Sequence, residues 1–270
     1  MLEAIQNQLA GLSNAEDGRF LQRFFKTGPG QYGEGDLFRG IRVPVLRRLC
    51  KTHQDIRLEL AEQLLHSAYH EDRLLALLIL IQKYVKAGER ERAGIYTLYL
   101  GNTRFINNWD LVDASAEHIV GAYLTDKSRE PLYQLARSGS LWERRIAILA
   151  TFHFIKQGSF DETFRIAGML LSDKDDLIHK AVGWMLREAG KRDLQSEEAF
   201  LSAHYRQMPR TMLRYAIERF PQDRRLEYLK GTVPPGALKG QPVVLSTGGS
   251  DSKLRHIDLP GPEDPSSRAV

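Results

Sequence analysis

Five alanines at nearly equal spacing constrain the fold of this chain more than any other feature. Ala76, Ala114, Ala147, Ala181 and Ala216 are separated by 38, 33, 34 and 35 residues. Each sits in a helical pattern, as in Arg73-Leu74-Leu75-Ala76-Leu77-Leu78 and His179-Lys180-Ala181-Val182-Gly183-Trp184. Further helical segments alternate with these, over residues 57–67, 92–100, 128–137, 161–171 and 196–208. A small side chain lets two helices cross closely, and any helical bundle uses some. A bundle does not require them at a fixed interval. Two helices per period of about 35 residues is the signature of a stacked solenoid of the HEAT or armadillo kind. The expected fold class is all-α, a superhelical solenoid of HEAT-like helical repeats.

The repeats stop before the chain does. Six of the eleven prolines follow Val233, with five glycines among them and few large apolar residues. Such a segment buries too little apolar surface to offset the entropy of ordering it. A folded domain over 1–231 and a disordered C-terminal tail over 232–270 are expected. Charged residues at 27% and hydrophobic residues at 42% are ordinary for a globular domain. Cys50 is the only cysteine, which excludes an intrachain disulfide and a cysteine zinc cluster and suits a reducing cytoplasm. Met1-Leu2-Glu3-Ala4-Ile5 has no basic region ahead of an apolar run, and the apolar run at 74–81 is too short to span a bilayer. A cytoplasmic protein with no membrane association is expected. The net charge of +4 and pI of 9.1 suit a polyanionic partner without specifying one.

Equivalent positions in a solenoid line up across repeats. Five before each alanine lie Glu71, Trp109, Trp142, Asp176 and Thr211; one before, Leu75, Asp113, Ile146, Lys180 and Tyr215; three after, Ile79, Glu117, Ala150, Trp184 and Arg219. These columns are four residues apart, so they share one face of the second helix of each repeat. Trp109, Asp113 and Trp184 are expected on that face. The column two before the alanine reads Leu74, Val112, Arg145, His179 and Arg214, turning basic along the chain. With the free N–H groups of successive helix N-termini, and with Arg144, Lys180 and Arg187 nearby, it forms a candidate phosphate track. Solvated helix faces explain each cation singly.

Asp113 stands out because a carboxylate in a phosphate groove repels the ligand. Asn107 and Asn108 are good N-caps for a helix starting there, which places Trp109 and Asp113 one turn apart on the same face. One task for the carboxylate is to stabilise positive charge developing on a deoxyribose as its glycosidic bond breaks. A charge pair about 4 Å apart at an effective dielectric near 20 is worth roughly 4 kcal/mol, or about a thousandfold in rate. A first-turn carboxylate complementing the helix dipole, and tryptophans that merely pack, are the alternatives.

The sequence resembles the AlkD-like DNA alkylation repair proteins, which are HEAT-like-repeat DNA glycosylases. The resemblance spans about Arg19 to Leu229. It rests on Leu37-Phe38-Arg39-Gly40-Ile41-Arg42-Val43-Pro44, Asn108-Trp109-Asp110-Leu111-Val112-Asp113, Trp142-Glu143-Arg144-Arg145-Ile146-Ala147-Ile148-Leu149 and Lys180-Ala181-Val182-Gly183-Trp184-Met185-Leu186-Arg187-Glu188. It implies excision of positively charged N3- and N7-alkylated purines from double-stranded DNA, with no metal or cofactor, by a chain acting as a monomer. It implies Asp113 as the catalytic carboxylate, Trp109 and Trp184 as the cleft tryptophans and Arg145 as a phosphate contact. Asn108 replaces a second tryptophan found in some members. The Gly-rich segment over 27–35 also departs from the best-studied members and is expected to reshape the N-terminal end of the groove. A DNA-structure-binding solenoid without catalysis and a protein-binding HEAT scaffold are the other readings.

Overall fold

A computed structural model describes residues 1–233. In chain order the helices are α1 (Leu2–Gly11), α2 (Ala15–Phe24), α3 (Val43–His53), α4 (Leu58–Leu65), α5 (His70–Lys86), α6 (Glu89–Gly101), α7 (Trp109–Ala116) and α8 (Glu130–Ala136). They continue with α9 (Leu141–Ala150), α10 (Phe152–Lys156), α11 (Asp161–Met169), α12 (Asp176–Gly190), α13 (Leu194–His204), α14 (Arg210–Ala216) and α15 (Gln222–Lys230). No β-strand occurs among the described residues; a lone parallel bridge joins Leu37 to Tyr69.

The helices form two layers. In one, α3 packs on α5, α5 on α7, α7 on α9, α9 on α12 and α12 on α14. The other is built from α4, α6, α8, α11 and α13, each against its partner in the first layer or that partner's continuation. This is the expected all-α solenoid, and the alanine register explains its spacing. Ala76, Ala147, Ala181 and Ala216 are fully buried at the crossings, and Ala114 is partly buried. Beside Ala181, a side chain on Gly183 would lie 2.5 Å from the Met212 carbonyl oxygen, so only glycine lets α12 and α14 approach this closely.

Local sequence sets where the helices begin. Asn14 caps α2 by accepting from the N–H groups of Glu16 and Asp17, and Asp193 caps α13 through Ser196. Pro44 and Pro131 sit in first turns, where no N–H is needed. Left-handed Gly231 ends α15. The packed chain continues through Val233, which is buried in the core. The rest of the expected tail lies outside the described residues. Among those described, no helix is long and apolar enough to cross a membrane.

The layer α5–α7–α9–α12 positions the candidate site, and its N-terminal end is closed by buried charge as well as by the apolar packing of α3 on α5. His70, Glu71, Asp72 and Arg73 open α5, and all four are buried. Glu71 accepts the backbone N–H groups of Arg39, Gly40 and Ile41 at 2.9, 2.8 and 3.1 Å. Asp72 clamps the Arg39 guanidinium at 2.6 and 3.0 Å. These bonds supply the partners that a buried turn otherwise lacks, and they fix the Leu37–Pro44 motif against α5.

Candidate active site

The first turn of α7 is built as the sequence predicts. Asn108 caps it by accepting the Trp109 N–H at 2.9 Å. Asp110 accepts the Leu111 N–H at 2.9 Å and holds His70 Nε2 at 2.8 Å. His70 also faces Asp36, which pairs with Arg73 at 2.7 Å. Burial opposes charge on His70, but the carboxylates of Asp110 and Asp36 overcome it and push the imidazole up to about 9. His70 is thus a buried cation between two anions, and the same Asp36 receives the side-chain amides of Asn107 and Asn108. The network ties the segment after the Gly-rich run to the N-terminus of α7. Nothing in hydrophobic periodicity signals it, because a first turn reading His-Glu-Asp-Arg looks solvent-facing.

Trp109 is 6% exposed and lies in an aromatic train. Its ring stacks on Phe25 at 5.2 Å and meets Phe24 edge-on at 6.1 Å. Phe38 in turn stacks on His70, which Phe25 meets at a tilt. The indole N–H of Trp109 is buried without a well-aligned acceptor; the polar group beside it is the Tyr32 hydroxyl. Tyr32 comes from the Gly-rich segment, and its ring meets Trp142 edge-on at 6.1 Å. Burial raises the Tyr32 phenol, and Arg145 is close enough to oppose that rise. Gly33 holds the segment down, since a side chain there would lie 2.5 Å from the Phe25 carbonyl oxygen. The segment thus brings Tyr32, an aromatic residue outside the columns, beside Trp109 and Trp142.

Asp113 is neither an exposed groove carboxylate nor a simple dipole partner. Arg145, reaching across from α9, donates Nε to one carboxylate oxygen at 2.8 Å and Nη2 to the other at 2.7 Å. Its remaining terminal nitrogen donates to the Leu177 carbonyl at 2.5 Å. The two side chains are 7% and 6% exposed. Burial pushes the Asp113 carboxyl up, and the clamped guanidinium opposes that shift. Each oxygen keeps a lone pair that Arg145 does not use. The arrangement is a carboxylate of fixed direction with a cation behind it.

The phosphate track needs correction. Three of the five Arg145 N–H donors are taken by Asp113 and the Leu177 carbonyl, and the side chain is only 6% exposed, so it is poorly placed for a phosphate. Arg144 is likewise spent, on Asp173 and on the carbonyls of Ser138 and Gly139. Arg187 pairs with Glu218 and His179 bonds the Asp173 carbonyl. Lys180 pairs with Asp176 at 2.8 Å but remains partly exposed. Arg214 is exposed with no partner among the described residues. The N-terminus of α12 is already served by Asp175, which accepts the Leu177 N–H. For Arg144, Arg145 and Arg187 a carboxylate from a neighbouring repeat has taken the cation, whereas Lys180 is paired within α12 and Arg214 is left open. Trp184 does not join the Trp109 train; it is half-buried against Phe152 at 6.0 Å and donates its indole N–H to Glu188 at 3.3 Å. Among the described residues no group of three or more His, Cys, Asp and Glu is placed to hold a metal.

Comparison with known proteins bears on this geometry. A family model described as DNA alkylation repair enzyme matches residues 5–220. A solved structure, a predicted DNA alkylation repair enzyme from Enterococcus faecalis, superposes with a TM-score of 0.60 at 17% identity. The match covers 78% of this chain and 97% of that one, a likeness of fold. No curated protein matched the sequence.

Proposed function

This chain belongs to the DNA alkylation repair enzyme family, and from that premise we propose that it hydrolyses the N-glycosidic bond of positively charged N3- and N7-alkylated purines in duplex DNA, leaving an abasic site. The observation that carries the proposal is the buried Asp113 carboxylate. Arg145 fixes its direction, and Trp109 lies one turn before it on the same face. Such a base already carries positive charge and leaves readily, so the protein has little bond-making to do. Asp113 stabilises the cation that develops on the sugar and orients the attacking water through its unused lone pairs. Trp109, Tyr32 and Trp142 wall the nearer side. The open edge of Trp184 faces the sugar-phosphate backbone farther along α12. Arg214 and Lys180 supply backbone contacts, and Arg144, Arg145 and Arg187 act as internal ties.

A second reading is supported by the same pair. Arg145 neutralises Asp113 as it orients it, which equally suits a purely structural bridge in a non-catalytic DNA-structure-binding repeat protein. Base release from duplex DNA carrying N7-methylguanine separates the two. Wild type releases the base, and folded Asp113→Asn is at least about tenfold slower, a loss of about 1.4 kcal/mol in transition-state stabilisation. Wild type that binds the duplex yet releases nothing above the spontaneous rate leaves the binder.

A further inference from the structure

The helix α2 turns two of its large apolar residues, Phe20 and Phe24, outward. Its one buried residue is Gly18, packed close to the Phe38 carbonyl. Phe20 is 58% exposed and Phe24 36% exposed. They are four residues apart on one face and stack at 6.2 Å with an interplanar angle of 16°. Arg19 and Arg23 are exposed beside them, and exposed Lys26 follows the helix. None of these three cations makes an ion pair among the described residues. The acidic residues of α2, Glu16 and Asp17, lie in its first turn, and Asp17 is paired with Arg42. The ridge joins the candidate site directly, because Phe24 meets Trp109.

Resting on the DNA reading above, we infer that α2 is a second DNA-contacting element, on which Phe20 stacks against a base displaced from the duplex stack while Arg19, Arg23 and Lys26 hold the adjoining phosphates. Ring-to-ring steps of 6.2 and 6.1 Å connect Phe20 through Phe24 to Trp109. Phe20 thus lies within about four base-pair rises of roughly 3.4 Å from the lesion site. A flat ring between cations matches a base face flanked by phosphates. Protein interfaces also favour aromatics and arginine but keep their cores poor in charge, whereas here three cations unpaired among the described residues flank the exposed ring. Base faces are accessible only where stacking is interrupted, so the ridge selects distorted DNA over a continuous helix.

The test uses duplexes without an alkylated base, so that catalysis does not enter. One carries a single unpaired 2-aminopurine and the other is continuous. Wild type is expected to bind the first more tightly and to quench its fluorescence. Phe20→Ala should lose at least about fivefold affinity for the unpaired duplex, with the quenching, while keeping its affinity for the continuous one. Phe20→Leu keeps an apolar side chain without a π face and should also lose the quenching. Arg23→Gln should weaken binding to both duplexes and reduce the salt slope by about one. Equal binding of both duplexes by wild type, or Phe20 variants indistinguishable from it, overturns the inference and leaves the excision proposal standing. Absence of any salt-sensitive DNA affinity in wild type overturns both. Phe20→Ala that abolishes self-association in sedimentation with unchanged DNA binding would make the ridge a contact between copies of the chain, overturning the inference.

Discussion

Replacing Arg145 with methionine keeps most of the side chain's length and removes its charge, leaving the Asp113 carboxylate buried with no cation. Three of the arginine's bonds disappear, two to Asp113 and one to the Leu177 carbonyl. With both side chains under a tenth exposed, solvent cannot compensate. Breaking a buried pair by removing one partner costs about 3–5 kcal/mol. Asp113→Asn, which strands the guanidinium, is expected to cost a similar amount. The double variant has neither orphan, so it should be no less stable than either single variant. That corresponds to a coupling energy of about 3 kcal/mol in a double-mutant cycle read by urea denaturation. Arg145→Met should leave the salt slope of DNA binding unchanged, because the Arg145 side chain is buried and held by Asp113 and the Leu177 carbonyl. With Arg145 gone, burial acts on Asp113 unopposed, so the acid limb of base release should move to higher pH. Additive single costs, with coupling below about 0.5 kcal/mol, would refute the clamp. A slope reduced by about one would restore Arg145 to the phosphate track.

Two further outcomes follow from the surroundings of α7. His70 is held at about 9 when folded against about 6.5 unfolded, so the folded state binds its proton more tightly. Its stabilisation is complete below about pH 6.5 and is lost as pH rises through about 9; the full amount is about 3 kcal/mol. Denaturation at pH 6 and pH 9.5 should reveal that loss in wild type, and a wild-type profile flat across this range would rule out the buried cation. Tyr32→Phe should cost at most about 1 kcal/mol by removing the hydroxyl. Tyr32→Ala should cost about 2 kcal/mol, since the half-buried ring also leaves Trp142, and should slow base release more than it weakens DNA binding. Equal rates for Tyr32→Ala and wild type would remove the ring from the site.

The sequence by itself determined the architecture. Alanines at a fixed interval can be read directly because the requirement they answer, close helix crossing, depends on side-chain size at one position. The start of α7 was legible for the same reason: Asn108 caps its helix through the Trp109 N–H next to it. The placement of Trp109 and Asp113 one turn apart follows from helical periodicity alone. The fate of the charges was decided only in three dimensions. Arg145 meets Asp113 across 32 residues of chain, and Glu71 meets Gly40 across 31. A column of arginines looks the same whether it faces phosphates or carboxylates from the next repeat. Tyr32 reaches the site because Asp36 anchors its segment to α7, and no periodicity encodes that tie. Short-range geometry is written residue by residue, whereas the partner of a buried charge depends on which repeats pack together.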